Sequence, residues 1–258
     1  MHIGILSYNK PQLTRECLDT TLKFVPPEHI TLAHNGSKPE VIENLQTLYP
    51  KVIHHITPVN RGYTGGSNDL LTECFKKSEW TLFITNDCLL QNQPQTPQKP
   101  GLYAPTILRR QSPNIDSIGG LFQPVTGKLQ HLRCPQKAET ASAERQTLKH
   151  RLLPVRPYFY VPGTAFYIHK SVFTHLGGFD ESLHTYWEDV DFSARAYKAR
   201  LHLGLMPDTV FRHKIGKTCH KDPFYTKTLF QRNRRIVSKR HSILHLPPLP
   251  QNWHFLSK

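Results

Sequence analysis

The chain has 258 residues, of which 38% are hydrophobic and 10% aromatic, enough for one large globular domain and too much for a disordered chain. No apolar run approaches the roughly 18–20 residues that span a bilayer, and the opening nine residues lack the basic start of a signal peptide, so a cytoplasmic location is expected. The net charge of +14, from 33 Lys and Arg against 19 Asp and Glu, suits a polyanionic partner (nucleic acid, anionic headgroups or a phosphate-bearing ligand) or a merely solvated basic helix face, and charge alone does not choose between them.

His2 to Ser7 reads as a short strand. Pro11 suits a helix start, and Leu13, Cys17, Leu18, Leu22 and Val25 follow at helical spacing until Pro26-Pro27. Ile30 to Ala33 is a second strand, stopped by Asn35-Gly36. Ser37 and Glu40 suggest a capping box for a helix with Val41, Ile42, Leu45 and Leu48. Val52 to Ile56 is a third strand, and the Gly-rich turn Gly62 to Gly66 opens a helix through Phe75. Trp80 to Ile84 is a fourth strand. This alternation predicts an α/β fold with a mostly parallel central sheet and helices on both faces.

Gln91 to Pro100 is a Gln- and Pro-rich loop, Leu102 to Leu108 a strand, and Ile118-Gly119-Gly120 a turn. Between about 125 and 155 little regular structure is expected beyond a basic helix over Ala138–Leu153. Strands follow at Tyr158–Val161 and from Gly163 through Ile168. A short helix begins at Ser171, another spans Glu188 to Arg200, His202 to Phe211 is extended, and Pro223 to His241 is a long basic helix. Five cysteines, Cys17, Cys74, Cys88, Cys134 and Cys219, form no Cys-x-x-Cys pair, which predicts reduced thiols over a disulfide framework or a zinc site.

Acids concentrate in two neighbouring stretches of this basic chain, Gly177-Gly178-Phe179-Asp180-Glu181 and Trp187-Glu188-Asp189-Val190-Asp191. A helix N-terminus favours one or two acids there, but not all five. Asn60 to Asn68 places glycines where backbone can approach a ligand, with Tyr63 available to stack on a ring. It is neither a P-loop nor a dinucleotide fingerprint, which sets aside a nicotinamide oxidoreductase. Asp87 ends a strand at the ligand edge expected for such sheets, where a carboxylate can hold a divalent cation. His213 is one of 16 histidines and has little claim from spacing alone; His54 and His55 read as structural.

Together these segments resemble the family 2 glycosyltransferases of GT-A fold, in particular bacterial rhamnosyltransferase-like members. The likeness rests on Ser7-Tyr8-Asn9-Lys10, Asn35-Gly36-Ser37, Asn60 to Asn68, Asn86-Asp87, Gly177 to Glu181 with Glu188 to Asp191 and Arg195, and Phe224-Tyr225 with Arg232-Asn233. It implies one domain over 1–258: a nucleotide-binding half (1–100), an acceptor half (101–222) with an ill-defined insertion at about 125–155, and a basic C-terminal helix and tail (223–258). It also implies an inverting transfer from a UDP- or dTDP-sugar to an acceptor hydroxyl, in bacterial surface-glycan synthesis.

In that reading Asp189 is the base, with Glu188 and Asp191 as orienting or capping acids. Ser7, Tyr8, Asn9, Asn35, Arg61, Gly62, Tyr63, Asn68, Asn86, Asp87 and Gly163 contact the nucleotide-sugar, and Asp180 and Trp187 the acceptor side. Asp87 and His213 hold Mn²⁺ or Mg²⁺, with Arg212 or Lys217 assisting. The partners implied are a nucleotide-sugar, a glycan or lipid-linked glycan acceptor and, peripherally, an anionic membrane at its inner face, with no specific nucleic acid. Two positions depart from the family pattern. His34 stands where an Asp usually precedes Asn-Gly-Ser, and Thr85 replaces the first acid of Asp-x-Asp. The second departure leaves Asp87 as that motif's single acid and raises the case for His213. The competing expectation is a basic binding protein for nucleic acid or anionic membrane that has lost catalysis.

Overall fold

The structure, a computed structural model, describes residues 1–109, 111–134, 157–214 and 223–242. The first four strands are β1 (His2–Ser7), β2 (Ile30–Asn35), β3 (Ile53–Thr57) and β4 (Trp80–Thr85), linked by helices α1 (Pro11–Thr21), α2 (Pro39–Leu48) and α3 (Gly62–Cys74). Then come β5 (Cys88–Leu90), β6 (Leu102–Arg109), β7 (Ile115–Ser117), β8 (Gly120–Gln123), β9 (Lys128–His131), β10 (Tyr158–Tyr160) and β11 (Ala165–His169). Helix α4 (Lys170–Leu176), a 3-10 turn at Glu181–Leu183, α5 (Glu188–Lys198), β12 (Leu203–His213) and α6 (Pro223–His241) complete it.

The main sheet runs β3-β2-β1-β4-β11-β6-β12-β5, with β7 on β6. β3, β2, β1 and β4 are parallel, as are β6 and β12. β11 lies antiparallel to both β4 and β6, and β5 antiparallel to β12. The expected mostly parallel sheet is therefore parallel in its first four strands and mixed beyond them. A parallel neighbour needs a crossover of a dozen or more residues. β11 instead starts at the edge where β4 ends and runs back along it, with the Thr85 N–H donating to the Thr164 carbonyl at 3.0 Å.

Helices cover both faces. Leu70, Leu71 and Phe75 of the α3 segment, Val172 of α4 and Phe192 of α5 pack on Leu6, Phe83 and Phe166. On the other face Cys17 and Leu18 of α1 and Leu45 of α2 pack on Ile3, Ile5, Leu32 and Leu82. Strands buried on both faces need near-continuous apolar sequence, which β1 and β4 have.

A second sheet, β10-β8-β9, was not expected. Of its strands only β10 was expected, at Tyr158–Val161; β8 and β9 are four residues long and β9 is largely exposed, so no alternation announces them. Gly120, read as part of a turn, opens β8. α6 packs beneath this sheet through Phe230, Ile236 and Val237, against Phe122, Tyr160 and Trp187. The capping box is also corrected: Lys38 precedes α2 with no side-chain cap. The Ser37 hydroxyl instead accepts the Asn9 N–H at 2.9 Å, and Asn9 Oδ1 accepts the Lys38 N–H at 3.0 Å. The basic helix expected at Ala138–Leu153 lies outside the described residues.

Candidate active site

The strand ends on the ligand edge form two poles. At the first, β4 ends at Thr85 and delivers Asp87, while β5 draws in the last residue of β12, His213 opposite Cys88. His213 Nε2 lies 3.4 Å from Asp87 Oδ2, and the Thr85 hydroxyl donates to Asp87 Oδ1 at 2.7 Å. Asp87 is buried and His213 half-buried. Thr85, which cannot supply a carboxylate, thus orients the one beside it. One carboxylate and one imidazole suit Mn²⁺ or Mg²⁺ when substrate phosphates and water fill the remaining positions. Among the described residues no group of three or more His, Cys, Asp or Glu is placed to hold a metal. Arg212, expected to assist, is occupied by Gln91 and by the Arg109 and Ser112 carbonyls. Lys217 lies outside the described residues.

Several residues expected on the nucleotide also brace the protein. The Ser7 hydroxyl and the Asn86 amide meet at Thr14 Oγ1, at 2.8 and 2.9 Å, and all three side chains are buried. Tyr8 beside them is 40% exposed and open to a ligand. Asn9 is spent on the α2 start. Asn35 Oδ1 accepts the Arg61 N–H at 3.0 Å, and its amide donates to the Gly62 carbonyl at 2.8 Å. His34 is fully buried, stacked on His54 with Nε2 at 2.9 Å from His54 Nδ1, and burial lowers its pKa to about 4.

The segment Asn60 to Asn68 grips the Gly-Gly-Phe-Asp-Glu turn. Asn68 Oδ1 accepts the Phe179 N–H at 2.8 Å, and its amide donates to the Phe179 carbonyl at 3.0 Å. Arg61 forks between Asp69 and Glu181. Gly62, at φ +72°, faces His184 so closely that a Cβ would lie 2.3 Å from Nδ1. The Tyr63 ring is set edge-on against Phe83 and Phe179, and its hydroxyl donates to the Gly163 carbonyl at 2.5 Å. Asn35, Asn68, Arg61 and Tyr63, expected on the nucleotide-sugar, are thus also tied into the architecture. Two motifs that read as separate ligand contacts hold each other.

The second pole is the start of α5. Trp187 precedes it at φ +72°, buried between Phe122 and Phe230, with its Nε1 unpartnered among the described residues. Asp189 is half-buried and accepts only backbone N–H groups, Gly163 at 2.9 Å and Val190 at 2.8 Å, with no salt-bridge partner among the described residues. Burial raises its pKa, and the two N–H bonds offset part of that rise. Glu188 is buried with Oε2 unpartnered among the described residues; burial and then the Asp189 charge hold it well above the usual carboxylate range. Gly163 joins the parts: its N–H fixes Asp189, its carbonyl takes Tyr63, and a Cβ there would lie 2.7 Å from the Tyr63 hydroxyl. A small cavity lined by Val161, Gly163, Phe166, Asp189 and Phe192 adjoins them.

Asp191, grouped with the catalytic acids, is fully buried and structural. It takes Arg195 Nε at 2.8 Å, Arg240 Nη1 at 2.8 Å and His241 Nε2 at 2.9 Å. These partners outweigh the burial that opposes them and depress its pKa strongly. Asp180, expected beside the acceptor, accepts the Ser182 N–H at 3.0 Å and pairs with Arg240 at 2.7 Å. Sequence reasoning gave no structural role to Asn233, which is fully buried and sends its amide to the Leu183, Thr185 and Tyr186 carbonyls at 2.7, 2.8 and 3.0 Å. Leu229, Asn233 and Val237 recur every fourth residue, so a polar side chain within an apolar stripe was the available signal. α6 thereby anchors the loop leading into Glu188 and Asp189.

The whole fold superposes on solved glycosyltransferases. GalNAc-T7, solved with UDP, GalNAc and Mn²⁺, superposes with a TM-score of 0.65 at 16% identity, over 92% of this chain and 48% of that one. The fold is GT-A. Staphylococcus aureus TarS gives 0.57 at 12% identity over 95% of this chain and 40% of that one. Mannosyltransferase PcManGT from Pyrobaculum calidifontis, solved with GDP-Man and Mn²⁺, gives 0.54 at 13% over 93% and 61%. The chain thus spans less than half the length of GalNAc-T7 and TarS. No family model matches. An N-acetylglucosaminyl-diphospho-decaprenol L-rhamnosyltransferase of Mycobacterium tuberculosis is 24% identical over 90% of this chain and 81% of that protein. The rhamnosyltransferase-like GT-A resemblance read from the motifs stands on these two kinds of likeness.

Proposed function

We propose that this GT-A chain is an inverting glycosyltransferase of family 2 that moves a sugar from a UDP- or dTDP-sugar to an acceptor hydroxyl in bacterial surface-glycan synthesis. The observation that carries the proposal is Asp189: of Asp180, Asp189 and Asp191, it alone has no salt-bridge partner among the described residues. A half-buried carboxylate with a raised pKa, held by one backbone N–H from across the site, suits a general base. Asp189 takes the acceptor hydroxyl proton as that oxygen bonds to the anomeric carbon. The bond from that carbon to the diphosphate oxygen breaks, and the diphosphate leaves with the electron pair.

Asp87 and His213 would hold the divalent cation, which when bound offsets charge on the leaving phosphates. Tyr8 faces the nucleotide. The relative's name supports L-rhamnose as the sugar and a lipid-diphosphate-linked sugar as the acceptor. Among the described residues no helix is long and apolar enough to cross a membrane, so in this reading the enzyme meets such an acceptor peripherally, at the inner face. The retained Asp87–His213 pair supports catalysis over a retired binding protein.

The test is hydrolysis and transfer of dTDP-rhamnose and UDP-sugars by the purified chain, with and without Mn²⁺. Turnover of a nucleotide-sugar that fails in chelator is expected. Binding without turnover of either donor, to any acceptor, would favour the binding protein.

A further inference from the structure

On the rim of β6, β7 and β9, Asp116 gathers two arginines. Arg109 Nε reaches its Oδ1 at 3.3 Å, and Arg133 Nε reaches its backbone carbonyl at 3.3 Å. Each guanidinium thus uses one long Nε bond and leaves its terminal nitrogens without an acceptor among the described residues. A guanidinium is built for paired, parallel hydrogen bonds, and one Asp cannot neutralise two of them.

The rim lies between the two poles. Arg109 sits opposite His213 in the β6–β12 register. His131 ends β9, exposed, with its ring edge-on to Tyr160 at 6.1 Å. His131 and Gly120 are register partners, as are Gly120 and Tyr160, so the three form one row across the small sheet. Burial lowers the His131 pKa and raises that of Tyr160; the smaller charge effects of Asp116, Asp189 and Arg133 on His131 and of Asp189 on Tyr160 place this row between the arginines and the proposed base.

We propose that Arg109 and Arg133, with His131 beside them, bind a phosphate group of the acceptor. This deepens the glycosyltransferase reading and rests on it. In an acceptor whose sugar hangs directly from a diphosphate, the attacking hydroxyl at Asp189 and the phosphates are separated by one sugar ring. Of this rim His131 feels the Asp189 charge, while the hydrogen bonds of Asp189 go to Gly163 and Val190, which leaves room for a ring between them. The donor diphosphate has its own pole at Asp87 and His213.

The test compares two acceptors for Arg109→Gln, Arg133→Gln and Arg133→Lys: N-acetylglucosaminyl diphosphate on a short prenyl chain, and N-acetylglucosamine on a neutral alkyl chain. For each Gln variant KM for the diphosphate acceptor should rise about 10- to 100-fold, the worth of a charged hydrogen bond. kcat, donor KM and donor hydrolysis should hold, and use of the neutral acceptor should not change. Arg133→Lys, which keeps charge and loses the fork, should fall between wild type and Gln. Calorimetry with inorganic pyrophosphate adds a readout that needs no catalysis, so failure of the transferase reading and failure of this site are distinguishable. Equal losses on both acceptors, a change in donor KM, or pyrophosphate binding unaltered by Arg133→Gln would each overturn the proposal.

Discussion

The two sides of the first turn of α5 differ more than their shared chemistry suggests. Asp189 and Asp191 stand two residues apart on one helix. Asp191 faces α6 and meets two guanidiniums and an imidazole; Asp189 faces the cavity and meets two backbone N–H groups. One carboxyl is pushed far down and the other up. A motif's letters therefore do not assign roles, because the partners brought from α6 and from Gly163 do. What separates a structural acid from a reactive one here is whether its charge has already been answered.

The sharpest way to break this contrast is to neutralise each acid in turn. Asp189→Asn should fold and bind donor normally while turnover drops roughly 10²- to 10⁴-fold, the contribution of a positioned base. Asp191→Asn should do the reverse. Removing one partner from a buried ionic network costs about 3–5 kcal/mol, so its melting midpoint should fall by many degrees while activity per folded molecule survives. A stable, inactive Asp191→Asn beside an active Asp189→Asn would exchange the two roles. Next in size is the other pole. Asp87→Ala should abolish the Mn²⁺-dependent part of nucleotide-sugar binding, and His213→Ala should weaken it less; titration calorimetry in metal and in chelator reads both, and full activity in chelator would remove the cation from the mechanism.

A smaller effect appears in stability against pH. Asp191 has a depressed folded pKa, so its contribution is complete above the unfolded carboxylate value and is lost only in strong acid. It cannot explain losses near pH 5. Those come from His2 and His34, both held neutral by burial with pKa values of about 4. Between pH 4 and 6.5 the unfolded chain binds protons there that the folded chain does not, so stability rises with pH through that window. Glu188 has the opposite sign: its folded pKa is raised, so keeping it protonated costs stability that grows above the unfolded value. Glu188→Gln removes that proton requirement. Its melting midpoint relative to wild type should therefore climb from pH 5 to pH 8, and a difference that is flat with pH would mean that Glu188 ionises freely.

The same distinction explains what could be read from sequence. The first four strands and three helices were legible because each unit carries its own period and its own breaker, Pro11, Pro26-Pro27, Asn35-Gly36 or Gly62. The small sheet was legible only in β10, read as a strand at Tyr158–Val161; β8 and β9 are too short to show a period. At the site, residue types were legible but their commitments were not. Asn68 and Tyr63 resemble ligand contacts from the sequence alone, and only the fold reveals that Phe179 and Gly163 already hold them. Asn233 was missed as a structural residue because its three acceptors lie 47 to 50 positions away.

The smallest predicted effect carries the contrast to α6, where basic residues also divide into spent and unspent. Arg234 gives its guanidinium to the Thr126 and Gly127 carbonyls, and Arg240 gives its own to Asp180 and Asp191. Arg232 donates to the Ser182 carbonyl. Arg235 and Lys239 are exposed on the outer face, and the 78% exposed Phe224 opens the same helix. A cation near an anionic leaflet is worth about 1 kcal/mol. Co-sedimentation with anionic vesicles should therefore be salt-sensitive, absent with neutral ones, and reduced roughly 30-fold or more by Arg235→Glu and Lys239→Glu together, since two such contacts are exchanged for repulsion. Arg234→Gln should instead lower the melting midpoint. If pelleting is equal and negligible on both vesicle types, the outer cations serve solvation alone, and the acceptor reaches Asp189 from solution.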